Sequence, residues 1–199
     1  MNAQVKRALY YGATSLDGYL ADPDDGLEWL LQFEGTYDAP DAEPEPMREG
    51  GGYEQFYDGV GALISGSTTY EFVAEHFRDE AWPYAGKPYW VLSSRDLPVP
   101  GGEGVDVRVA DASVEEIYSD VVASAGDRAV WLVGGGNVAS QFADAGLIEE
   151  LILTVVPVVL GDGKPLFDRP PNASFALLGT RAFSNGMAEL HYRLVGRRA

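Results

Sequence analysis

The sequence predicts an α/β fold in which a central, mostly parallel sheet is flanked by helices and ends in an antiparallel C-terminal edge pair. Three observations carry this. In the middle of the chain, short apolar runs alternate with segments of helical spacing, the pattern of successive β-α-β units. One of those runs, Ala129-Val130-Trp131-Leu132-Val133, is apolar almost without interruption, as a strand covered on both faces requires. Near the end, Phe175 to Thr180 and Met187 to Val195 flank Asn185-Gly186, a dipeptide suited to joining antiparallel strands.

Taken in order, Ala8 to Thr14 is rich in Leu and Tyr and stops at Ser15-Leu16-Asp17-Gly18, giving a strand followed by a bend. From Asp22 to Gly52 the composition shifts to Asp, Glu, Pro and Gly, interrupted by Leu27-Glu28-Trp29-Leu30-Leu31. A short helical piece inside a long excursion is expected, and loops of that length in compact domains are usually functional or mobile. Gly61 to Ser65 forms a short buried strand, Gly66-Ser67 turns the chain, and Thr68 to Phe77 aligns Tyr70, Val73, Ala74 and Phe77 on one side of a helix. Pro88 to Leu92 is the next strand and ends at Ser93-Ser94-Arg95, while Pro98 to Gly104 separates it from a small strand at Val105 to Val109. Ser113 caps a helix reaching Ala125, and Glu116 three residues later completes a capping box. The apolar run at 129 to 133 delivers the chain to Gly134-Gly135-Gly136; Val138 to Ala145 is a helix, and Leu151 to Leu160 a long β-branched strand. With no internal repeat and no clean linker, residues 1–199 are expected to form a single domain, with 22–52 as its loop excursion.

Composition narrows the function. Apolar residues make up 46% of the chain and charged ones 23%, proportions of a globular protein with a sizeable core. A formal charge of -17 repels nucleic acid and anionic membrane surfaces. An anionic cofactor must then be held locally, by backbone N–H groups and a few placed side chains. The absence of cysteine removes disulfides, thiolate metal sites and cysteine nucleophiles. No signal-like or membrane-length apolar segment opens the chain, so a cytoplasmic location is expected.

Two segments combine a strand, glycine and a helix start: Gly66-Ser67-Thr68-Thr69 and Gly134-Gly135-Gly136-Asn137. Both would project helix N-terminal N–H groups from the carboxyl edge of the sheet, the favoured ligand position in such folds. In the first, the hydroxyls either cap the helix or bind a phosphate. In the second, three residues without Cβ expose the backbone beyond the one glycine that a tight turn normally needs. The G-x-G-x-x-G fingerprint is not met, because its third glycine position is Ala139 and no acidic residue sits suitably about 20 residues further on.

The order of segments resembles that of the dihydrofolate reductase-like family, in its riboflavin biosynthesis reductase (RibD C-terminal domain) branch. The resemblance rests on Ser15-Leu16-Asp17-Gly18-Tyr19, Gly66-Ser67-Thr68-Thr69-Tyr70, Leu92-Ser93-Ser94-Arg95, Val133-Gly134-Gly135-Gly136-Asn137-Val138, Leu153-Thr154 and Gly161-Asp162-Gly163-Lys164-Pro165-Leu166-Phe167. It implies that Gly66, Ser67, Thr68 and Thr69 with Gly134, Gly135, Gly136, Asn137 and Val138 hold a pyrophosphate between two helix N-termini. Ser93, Ser94 and Arg95 are similar to the segment that meets an adenosine 2'-phosphate, which favours NADPH. Ala13 and the Asp17-Gly18 bend resemble the segment beside the nicotinamide, and Asp162 joins the cofactor-binding set. Thr154 resembles a strand threonine of the substrate site, and Trp29 belongs to a helix region similar to the family's acidic, tryptophan-containing one. One departure is Ser67, where dihydrofolate reductases often carry a basic residue.

Reduction of a C=N or C=O bond also needs a proton, and Asp17, Glu28 and Asp162 are the carboxyl groups considered, with Asp17 and Glu28 foremost. Trp29, Phe33, Tyr53, Phe56 and Tyr57 either wall a substrate pocket or pack in the core. No metal is expected. His76 and His191 are too few, and the acidic run from Asp22 fails as a calcium loop because positions 5 and 12 are Gly26 and Phe33. No serine stands in a Gly-x-Ser-x-Gly elbow. The expected function is an NADPH-dependent reductase acting on a small flat heterocycle such as a pterin or pyrimidine, with a homodimer as the analogy-based assembly. The alternative is a dinucleotide- or flavin-binding module of the same fold without turnover.

Overall fold

The computed structural model describes residues 8–32, 53–183 and 185–196. In chain order the elements are β1 (Ala8–Ser15), β2 (Tyr19–Ala21), α1 (Glu28–Leu31), α2 (Tyr53–Asp58), β3 (Val60–Gly66), α3 (Ser67–His76), β4 (Tyr89–Leu92), β5 (Val107–Ala110), α4 (Val114–Ala125), β6 (Ala129–Gly134), α5 (Gly136–Asp144), β7 (Ile148–Val156), β8 (Lys164–Pro165), β9 (Ser174–Ala182) and β10 (Ala188–Gly196). Eight strands form one sheet in the order β5-β4-β3-β6-β1-β7-β10-β9. From β5 to β7 every neighbouring pair is parallel, and β10 then pairs antiparallel with both β7 and β9. The mostly parallel sheet with an antiparallel edge pair is therefore as the sequence predicts. Most of the 22–52 excursion, including Phe33, lies outside the described residues.

Each face of the sheet buries its own cluster. On one, Tyr10, Ala62, Ile64, Val130, Leu132 and Leu153 pack with Ile117 and Val121 of α4 and Phe142 of α5. On the other, Leu63, Tyr89 and Trp131 pack with Tyr70 and Val73 of α3 and with Tyr11, Phe56 and Tyr57. Backbones approach closely where Gly61 lies: a Cβ there would sit 2.1 Å from the Ala125 carbonyl oxygen, so α4 can lie flat on β3 only over a glycine. The capping box that begins α4 is formed, with the Ser113 hydroxyl accepting from the Glu116 amide and the Glu116 carboxylate accepting from the Ser113 amide.

Two boundaries move for physical reasons. Strand β7 stops at Val156 rather than Leu160, because Pro157 lacks an N–H and the Val158 amide turns back to the Val156 carbonyl. The hairpin turn spans more than Asn185-Gly186, with the Phe183 amide donating to the Met187 carbonyl and the Gly186 amide donating to the Phe183 carbonyl. Elements β2 and β8 form a separate two-stranded ribbon that weak local patterning did not announce.

Candidate active site: a two-turn cleft and a polar sheet face

Strands β3 and β6 are neighbours in the sheet, so the helices that follow them begin side by side at its carboxyl edge. Helix α3 takes Gly66 as its N-cap, and α5 takes Gly135 at φ 88°. The two turns touch: a Cβ on Gly66 would meet Val138 Cγ2 at 3.1 Å, and one on Gly135 would meet Thr69 Oγ1 at 3.4 Å. Neither helix start is capped by the side chain of its N-cap residue. Ser67 and Thr68, at the first positions of α3, therefore do not serve as N-caps.

Gly136 has a different reason to be glycine. A Cβ there would lie 2.2 Å from the Pro165 carbonyl oxygen, because the segment after β8 crosses the first turn of α5. Gly135 needs its left-handed backbone, and Gly136 needs the room beside Pro165, so part of the triple-glycine signal is structural. Asn137 is also engaged, joined to the Asp168 carboxylate by its side-chain amide and to Gln141 through its carbonyl oxygen.

Beside these turns lies a cleft of about 430 Å³ lined by Ser67, Ser93, Ser94, Arg95, Asp111 and Asn137, among others. It brings together residues from the ends of β4 and β5 and the starts of α3 and α5. The Ser93 hydroxyl accepts from the Arg95 amide and shapes the turn. Arg95 does not wait free for a phosphate: its guanidinium pairs in bidentate fashion with Glu71 at 3.0 and 2.6 Å, and both side chains are exposed. Backbone amides, hydroxyls and this one guanidinium are donors of the kind a dinucleotide phosphate requires, and in that respect the cleft fits one.

The carboxyl groups read from the sequence as proton donors are placed otherwise. Asp17 is exposed and accepts from the Ser15 hydroxyl at 2.6 Å and from the Gly161 and Leu160 amides at 2.7 and 3.2 Å. The Ser15 hydroxyl foremost, and then those amides, hold its pKa below the ordinary carboxylate value. Through these bonds it tethers the 15–18 bend to the 158–161 loop. Glu28 is exposed on the first turn of α1, with its carboxylate over Gly26 alongside that of Asp22. Asp162 accepts from the next amide, Gly163, and stands exposed in its loop. Trp29 is buried, and its indole N–H has no hydrogen-bond partner among the described residues. Tyr53, Phe56 and Tyr57 surround Trp131, with Phe56 stacked on Tyr11 at 4.3 Å; Phe56 and Tyr57 pack against the core, while Tyr53 is exposed.

Thr154 lies where three strands line up. It pairs with Ala13 of β1 on one side and Glu189 of β10 on the other, so the three side chains share a face. Tyr11, two residues before Ala13, shows that this face is the one carrying the aromatic cluster. Continuing the β1–β6 register past Tyr10↔Leu132 brings Ala13 level with the second glycine turn. Glu189 is the residue missed from the sequence. It is only 7% exposed, and burial raises its pKa, partly offset by the positive charges of Arg181 and His191. Its signal was a carboxylate in the apolar alternation Ala188-Glu189-Leu190, which period alone could not assign to a buried face.

The paired glycine turns beside a polar cleft give an α/β protein with a candidate ligand site at the carboxyl edge of its sheet. The comparisons sharpen this: the model of the RibD C-terminal domain matches residues 86–188, and the chain belongs to that family. It is 30% identical over 94% of its length to the uncharacterized protein YwjB of Bacillus subtilis, covering 97% of that protein. Among solved structures, a Shewanella sp. PV-4 protein named for riboflavin biosynthesis superposes with a TM-score of 0.76 at 27% identity, covering 96% of this chain and 99% of that one. The diaminohydroxyphosphoribosylaminopyrimidine deaminase/5-amino-6-(5-phosphoribosylamino)uracil reductase of Thermotoga maritima shares the fold, with a TM-score of 0.62 at 16% identity over 95% of this chain and 57% of that one.

Proposed function

We propose that this protein is an NADPH-dependent reductase that transfers hydride to a small flat heterocycle, a pyrimidine or pterin-like ring. The observation that carries the reading is the contact between the two glycine turns, which sets two uncapped helix starts side by side at the carboxyl edge, next to a cleft of hydroxyls and one arginine. Membership of the RibD C-terminal family and the fold shared with a uracil reductase of Thermotoga maritima support the same class of chemistry.

In this reading the Gly66–Thr69 and Gly134–Val138 backbones bind the pyrophosphate, Ser93, Ser94 and Arg95 receive the 2'-phosphate, and the nicotinamide lies against Ala13. When bound, the cofactor supplies the hydride. The protein's own contribution is to orient the acceptor on the Ala13–Thr154–Glu189 face and keep water from it. The protein acts as one domain on a small molecule in the cytoplasm, as a homodimer, and its charge of -17 disfavours nucleic acid.

Thermal melting with cofactor tests this. NADPH at 100 times its dissociation constant stabilises a fold by roughly 2.7 kcal/mol, about 5 to 10 °C for a chain of this size. No shift with any nicotinamide coenzyme sinks the reading. A shift without oxidation of NADPH by dihydropterin, aminopyrimidine or quinone acceptors reduces it to a binding module, and a yellow chromophore retained on purification assigns the cleft to flavin.

A further inference from the structure

The carboxyl groups named from the sequence are exposed, whereas among the described residues the fold buries the Glu189 carboxyl on the sheet face where the acceptor would lie. We propose that Glu189 is the catalytic acid of this site, delivering a proton to the acceptor heteroatom from the strand two places away from Ala13. The proposal rests on the reductase reading above and on geometry that the family match does not cover, since the matched segment ends at residue 188.

Three features place Glu189 for this work. First, it is in register with Thr154, which is in register with Ala13, so the carboxyl shares a face with the expected nicotinamide position. Two strand spacings separate their backbones by about 10 Å, with Thr154 on the strand between them. Second, its burial disfavours the charged form, while Asp17 is held ionised by its donors. Third, the groups around it modulate the proton without removing it. Arg181 stands opposite on β9 and His191 follows on β10, both favouring the carboxylate, and Tyr11 on β1 feels the Glu189 charge together with Tyr53 of α2. His191 is itself tied to Glu150 at 2.7 Å.

The step balances. The acceptor C=N or C=O bond gains hydride at carbon, from the reduced nicotinamide of the proposed cofactor, and a proton at nitrogen or oxygen, from the Glu189 O–H bond. Oxidised nicotinamide, the saturated bond and a Glu189 carboxylate remain, and water restores the proton.

The test compares wild type with Glu189→Gln and Glu189→Asp. In the absence of cofactor, melting is followed from pH 5 to 9. A raised folded-state pKa contributes stability that is present at low pH and lost as pH rises through it, so Glu189→Gln should gain on wild type with rising pH and lose that gain at low pH. A pH-independent gap overturns the proton-holding role. With NADPH, all three proteins should show the same melting shift, because Glu189 does not touch the phosphate cleft. With the same acceptor panel, Glu189→Gln should lose about 100-fold or more in kcat, Glu189→Asp should recover part of it, and wild-type kcat should fall as pH rises. Unchanged kcat in Glu189→Gln with an intact NADPH shift overturns Glu189 alone. Failure of wild type to bind NADPH, or to reduce any acceptor, overturns the reductase reading and this proposal with it.

Discussion

In the proposed reading, the pair of Arg95 and Glu71 would bear on cofactor choice. A guanidinium already bound in bidentate fashion to a carboxylate must exchange that partner to meet a 2'-phosphate, and Glu71 then stands beside the phosphate as a like charge. Removing the competitor should tighten NADPH: Glu71→Gln is expected to lower its dissociation constant, whereas Arg95→Ala should weaken NADPH by on the order of tenfold and leave NADH nearly unaffected. Isothermal titration with both coenzymes decides it, and equal losses for NADPH and NADH in Arg95→Ala would remove the 2'-phosphate assignment. Arg95 itself was legible in Leu92-Ser93-Ser94-Arg95, but its partner was not, because Glu71 lies on α3, 24 residues earlier, and only folding brings it near.

Among the elements, the start of α5 holds glycines that are there for different structural reasons. Gly136 supports the crossing of the 165–168 segment, where an added methyl would meet a carbonyl oxygen that cannot swing away. Gly136→Ala should therefore destabilise the protein by about 1 to 3 kcal/mol, seen as a lower melting temperature with or without cofactor. Gly134 meets nothing closer than 3.7 Å around an added Cβ but holds φ 156°, so Gly134→Ala is opposed by its backbone rather than by a neighbour. A Gly136→Ala melting temperature equal to that of wild type would contradict the packing role. Period and capping chemistry made β6, α4 and α5 readable in advance. Strands β2 and β8, with three and two residues, carry too few positions for any period to emerge.

For the molecule as a whole, 31 acidic residues against 14 basic ones make self-repulsion the dominant long-range term. Ion pairs such as Glu150 with His191 and Arg193, or Asp144 with Arg169, relieve it locally. Screening should relieve the remainder, so raising sodium chloride from 10 to about 200 mM at pH 7 is expected to increase the melting temperature by a few degrees. A fall with salt would mean that local ion pairs outweigh the net charge, and calorimetry at the two salt concentrations distinguishes the cases.

By itself the sequence determined the class of fold, the family resemblance and the two glycine turns, because strand period, capping residues and glycine act over a few neighbouring positions. Tertiary structure decided the assignments that depend on partners distant in the chain. Asp17 became a tether only when folding brought Leu160 and Gly161 to it, and Arg95 found Glu71 24 residues away. Glu189 became a buried carboxyl only through strand register, which sets it beside Thr154 and, one strand further, Ala13. Burial and charge environment are sums over neighbours in space, and for Glu189 those neighbours come from β1, β7 and β9, which no local window of the chain contains together.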